Sequence, residues 1–100
     1  MKMIINGKKY DTETATAVGM WDNERYGDFT HCREELHRKR TGEYFLYGQG
    51  GPMSKYSRSN GNTTSGADDI IPLTEAEARA WAEKKLSADE YEKIFGEVEE

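Results

Sequence analysis

Cysteine is nearly absent from this 100-residue chain: Cys32 stands alone, so no intrachain disulfide can form. Long apolar runs are missing, which excludes a membrane-spanning helix. The opening Met1-Lys2-Met3-Ile4-Ile5-Asn6 has no signal-peptide core, so the expected location is the cytoplasm. There is no internal repeat, and no low-complexity tract beyond one polar stretch. Apolar residues make up only 35% of the chain, so the core must lean on Trp21, Trp81, three Phe and six Tyr. One hundred residues form one domain, here 1–100. A chain of this size buries about two thirds of its unfolded surface, which leaves little room for a deep substrate cavity.

Catalytic patterns are equally scarce. No Gly-x-Ser-x-Gly elbow is present, and no glycine loop runs into Gly-Lys-Ser/Thr as a Walker loop requires. Cys32 and His37 lie five residues apart, on opposite faces of a strand, so they form no thiolate–imidazole pair. The many carboxylates cluster on helices, where solvation explains them. The expectation is a protein that is not an enzyme and uses no cofactor.

Charge is plentiful and unevenly placed. The net charge is −5, yet residues 25–58 carry 7 basic against 4 acidic side chains, and residues 59–100 carry 4 against 11. Such asymmetry favours oriented encounter with a charged partner. A solvated acidic helix face is the plainer explanation of the second segment.

Local signals divide the chain into strands first and helices last. Met3-Ile4-Ile5, Asn6-Gly7 and Lys8-Lys9-Tyr10 read as a hairpin, because Asn-Gly suits a type I′ turn. Asp11 or Thr12 is expected to cap a short helix through Thr14–Val18, with Gly19 as its stop. Met20–Thr30 reads as irregular, with Trp21, Tyr26 and Phe29 pinning it to the core. A second hairpin joins Arg33–Arg38 to Tyr44–Tyr47 through Arg40-Thr41-Gly42. In its return strand Tyr44 and Leu46 share one face, Phe45 and Tyr47 the other, so that strand is central. Residues 57–69 lack apolar periodicity and read as a mobile loop. Ile70-Ile71-Pro72-Leu73 follows as an edge strand. Thr74-Glu75-Ala76-Glu77 and Ser87-Ala88-Asp89-Glu90 are capping boxes. They open two helices, one with Ala78, Trp81, Ala82 and Leu86 inward, the other with Tyr91, Ile94 and Phe95 inward and Gly96 as stop. The fold class is therefore α+β: a small, mostly antiparallel sheet of two hairpins and an edge strand, with two C-terminal helices on one face.

Three constellations are candidates for function. His31, Cys32 and His37 are metal-ligand types, but a strand sends Cys32 away from the two histidines. A buried cysteine and two exposed imidazoles is the expected outcome, with a zinc-stabilised domain as the alternative. Gly48-Gln49-Gly50-Gly51-Pro52 could present free amides to an anion at the start of a short helix over Met53–Tyr56, with Lys55 and Arg58 nearby. Turn geometry explains the same glycines. The partner-binding surface is expected on the second hairpin and its elbow: Arg38, Lys39, Arg40, Tyr44, Phe45, Tyr47, Lys55 and Arg58. Cations and rings gathered this way suit a protein contact, or a nucleic acid, whose phosphates and bases they would engage. The acidic chain disfavours the second.

The string from Thr41 to Tyr56, TGEYFLYGQGGPMSKY, resembles a family of short proteins common on mobile elements and prophages of Gram-positive bacteria. Ile70–Arg79, Ile4–Thr12 and Leu86–Tyr91 share that resemblance, which covers nearly the whole chain. It implies a mobile-element accessory protein. Small acidic proteins in that setting often antagonise host defences, anti-CRISPR proteins among them. The expected function is an interaction module that occludes a host nucleic-acid-handling defence complex, its partner a host or element-encoded protein such as a nuclease complex. It would act as a monomer or dimer.

Overall fold

The computed structural model describes residues 1–61 and 63–100. Its first strands, β1 (Lys2–Ile5) and β2 (Lys8–Asp11), form a separate two-stranded sheet. Asn6 and Gly7 both have positive φ, 52° and 78°, as a type I′ turn demands. Five further strands follow: β3 (Thr16–Asp22), β4 (Cys32–Arg38), β5 (Tyr44–Gly50), β6 (Ser57–Asn60) and β7 (Thr63–Leu73). They make one antiparallel sheet in the order β3-β4-β5-β7-β6. Helices α1 (Glu75–Lys85) and α2 (Ala88–Phe95) close the chain. The architecture is α+β, as the sequence pattern indicates. Among the described residues no helix is long and apolar enough to cross a membrane.

Several elements differ from expectation, two of them within the main sheet. Thr14–Val18 is not a helix: Thr16 begins β3, which pairs with β4 from Thr16↔Arg38 to Asp22↔Arg33. Branched Thr and Val favour an extended chain once a neighbouring strand offers hydrogen bonds. The stretch 57–69 is not a loop either, although Asn62 lies outside the described residues. Its strands carry no apolar alternation because Ser57, Arg58, Ser59 and Thr63–Gly66 are exposed and contribute nothing to a core. Strand β7 gives residues 63–66 to β6 and residues 67–73 to β5. The β6–β7 hairpin thus continues past the end of β5 as a polar ribbon. Pro72 sits in the part of β7 that β6 does not reach, where a missing N–H costs no ladder bond.

Strand β5 is central and covered on both faces. Tyr44 and Leu46 join Leu36, Ala78, Trp81 and Ala82 beneath the helices. Phe45 joins Tyr10 and Ile70 on the other face, under the β1–β2 hairpin. Tyr10 meets Phe45 edge-on at 5.6 Å between centroids, a favoured aromatic geometry. Ala78 and Ala82 are fully buried, and their small side chains let α1 approach the sheet. Both capping boxes are formed. Thr74 Oγ1 accepts from the Glu77 amide at 3.1 Å while Glu77 accepts from the Thr74 amide at 2.9 Å. Ser87 and Glu90 repeat the pattern at 3.2 Å each way.

Candidate interaction surface

The site begins with a buried charge. Alternation along β4 points Cys32, Glu34 and Leu36 to the helix face, and Glu34 is only 1% exposed. A lone carboxylate there would be prohibitively costly, but three donors converge on it. Tyr56 Oη donates to Glu34 Oε2 at 2.5 Å, Lys55 Nζ reaches the same oxygen at 2.8 Å, and Trp81 Nε1 donates to Oε1 at 3.0 Å. Burial alone would raise the Glu34 carboxyl, yet the bonds from Lys55, Tyr56 and Trp81 outweigh it and hold the group below its ordinary value. Burial, reinforced by Glu34, pushes the Tyr56 phenol far up, so it stays a donor. Burial and then the Glu34 charge also raise the Cys32 thiol, away from a reactive thiolate.

Tyr56 reaches Glu34 by crossing over Gly48, the residue paired with Glu34 on β5. A Cβ on Gly48 would lie 1.8 Å from Tyr56 Cζ, so no other residue fits beneath that ring. This crossing folds residues 51–56 back over the end of the sheet. The short helix expected after Pro52 does not form, and the amides it would have freed are occupied. Gly51 donates to the His31 carbonyl at 2.9 Å, Met53 to Phe29 at 2.8 Å and Ser54 to Gly51 at 3.1 Å. The elbow therefore presents no anion nest, and its glycines serve close packing.

Those two cross-bonds stitch the elbow to the loop between β3 and β4. That loop is fixed from within by its short polar side chains. Asn23 Oδ1 accepts from the Arg25 and Cys32 amides, both at 3.1 Å, and its Nδ2 donates to the Thr30 carbonyl at 2.9 Å. Asp28 Oδ1 accepts from the Thr30 amide and hydroxyl, both at 2.7 Å, which holds its carboxyl below the usual value. Asp22 accepts from the Glu24 amide at 2.7 Å and meets His31 Nε2 at 3.0 Å. On this fixed frame Tyr26 is 71% exposed, Phe29 65% and, on the neighbouring elbow, Met53 69%. Tyr26 and Phe29 were expected to pin the loop to the core. They point into solvent instead, because Asn23 and Asp28 already hold the loop, and only Trp21 packs against the core.

The eight expected contact residues do not form one patch. Tyr44 and Phe45 are 6% and 0% exposed; they belong to the two cores and cannot serve as docking anchors. Tyr47 is half-buried, its hydroxyl donating to Asp68 at 3.0 Å. Lys39 lies 3.6 Å over the Tyr10 ring and 3.5 Å from Glu43. Arg38 and Arg40 are exposed beside it. Lys55 is committed to Glu34, and Arg58 reaches the Asp68 carbonyl at 3.4 Å. The length of β5, about 20 Å at ordinary strand rise, separates the arginine pair from Lys55 and Arg58. His37 is buried rather than exposed: it stacks on Phe45 at 5.1 Å and meets Glu35 at 3.1 Å. Cys32 faces the helices while His31 and His37 face the other way. Among the described residues no three His, Cys, Asp or Glu side chains group for a metal.

Sequence reasoning missed the Glu34 network and the outward aromatics. The signal for Glu34 was present, since it alternates with Cys32 and Leu36 on an inward face. No protein-family model, curated protein or solved structure matches the chain.

Proposed function

We propose that this protein is a small cytoplasmic interaction module of a mobile element that occludes a host nucleic-acid-handling defence complex. One observation carries the reading: Tyr26, Phe29 and Met53 stand in solvent on two loops that are hydrogen-bonded internally and to each other. Exposed apolar side chains mark contact sites where they gather rather than where they are scattered singly, and the Met53–Phe29 backbone bond brings these two loops together. Aromatic residues and Met are enriched where proteins meet, and a preordered loop loses little entropy on docking. The partner is a protein with an apolar pocket beside basic charge, because residues 59–100 carry 11 acidic against 4 basic side chains. That charge steers the chain toward a groove that otherwise holds nucleic acid. The resemblance to mobile-element proteins supplies the setting and the defence complex as target.

Direct nucleic-acid binding through the second hairpin is the weaker reading, because Tyr44 and Phe45 have no free ring face for a base. The test is a plasmid or phage interference assay in cells making the protein. The wild-type chain should protect the invading DNA, and the Tyr26→Ser/Phe29→Ser/Met53→Ser chain should not. A wild-type chain that protects nothing across several interference systems would sink the inhibitor reading.

A further inference from the structure

A cleft of about 340 Å³ opens on the helix side of the sheet, walled by Trp21, Trp81, Ala80 and Cys32 with Glu34 at its floor. Its volume is that of a small-ligand site. Lys55, Lys84 and Lys85 rim it, so its charge is opposite to the −5 of the whole chain. On α1, Ala80 and Lys84 are one turn apart, as are Trp81 and Lys85, which sets two ammonium groups above two apolar walls. Lys85 Nζ stands 3.6 Å from the Trp21 ring centroid, a cation–π contact that holds it over the cleft.

Glu34 does not make this a cation site. Both its oxygens already accept from Tyr56, Lys55 and Trp81. Among the described residues, neither Lys84 nor Lys85 has a carboxylate partner. Two ammonium groups without a carboxylate, one of them resting on the Trp21 ring, and the apolar surface of Ala80 and Trp21 are what remains for a ligand. The C-terminus of α1 opposes an anion with about half an elementary charge, so one lysine would barely suffice and both are required.

We propose that this cleft binds a small anion with a flat apolar body, of the mononucleotide class. Its phosphate bridges Lys84 and Lys85, and its ring lies against exposed Ala80 and the part of half-buried Trp21 that Lys85 leaves uncovered. The anion contacts, Lys84 and Lys85, lie on α1 and take no part in the docking surface, so the proposal does not rest on that surface.

Both tryptophans of the chain line the cleft, so their emission reports its occupancy. The full chain is titrated with AMP, with adenosine and with inorganic phosphate. AMP should give a saturable change that weakens with added salt, phosphate should compete weakly, and adenosine should give none. Lys84→Gln/Lys85→Gln should raise the AMP Kd about tenfold or more at unchanged circular dichroism and Tm. Ala80 is exposed, so Ala80→Phe leaves the fold intact while blocking the ring; it should abolish AMP binding and spare phosphate. The proposal is overturned by no saturable response to AMP, by adenosine matching AMP, or by either variant binding AMP as the wild type does.

Discussion

Glu34 shows what one charge can organise in a small domain. It is held in its ionised form by Lys55, Tyr56 and Trp81, and removing it strands a buried hydroxyl and a buried indole N–H. Glu34→Ala should therefore cost about 3–5 kcal/mol, read from urea unfolding. A cost near zero would mean the network carries no net stability. The same group sets an acid limit. Its folded pKa is depressed below the ordinary 4.5, so its contribution is present above that value and is lost as pH falls through the folded one. Stability should fall below pH about 4.5, and the Glu34→Gln chain should lack part of that slope. Identical acid slopes would contradict the assignment. Gly48→Ala forces a Cβ into Tyr56 and should cost about 1–3 kcal/mol. In a Tyr56→Ala background most of that cost should vanish, giving a coupling of about 1 kcal/mol or more. Additive losses would show that the ring crossing is not the constraint. The glycine run after Tyr47 was visible in the sequence. Its cause was not, because the Tyr56 ring and the Glu34 carboxylate meet only when β4, β5 and the elbow are assembled.

At the scale of elements, legibility followed the source of the stabilising interactions. The Asn6-Gly7 turn and both capping boxes depend on neighbours within a few residues, and β5, though its partners are distant, carries apolar side chains on both faces, so all were readable. Thr16–Asp22 takes its hydrogen bonds from β4, and the β6–β7 ribbon takes them only from itself. Neither leaves the apolar period that marks a strand with one buried face. The helices test the local part. Thr74→Ala and Ser87→Ala should each cost about 1 kcal/mol, measured as a shift in thermal midpoint. Ser87 should matter more to the local order of α2, which has no fully buried residue. Hydrogen exchange in α2 that is indifferent to Ser87→Ala would contradict that dependence.

For the whole molecule, a central strand covered on both faces leaves the ends and edges of its sheet for function. At one end the β3–β4 loop and the elbow lock together and turn Tyr26, Phe29 and Met53 outward, and acidic residues dominate the last four tenths of the chain. The Glu34 network lies under the same elbow, so loosening it should weaken partner binding even though Glu34 itself touches no partner. The most direct test is a pull-down from the lysate of cells making the chain, with and without nuclease, comparing wild type with Tyr26→Ser/Phe29→Ser/Met53→Ser. Wild type is expected to capture one protein regardless of nuclease, and the triple variant to lose it. Capture that collapses on nuclease treatment, or that the triple variant retains in full, would contradict it.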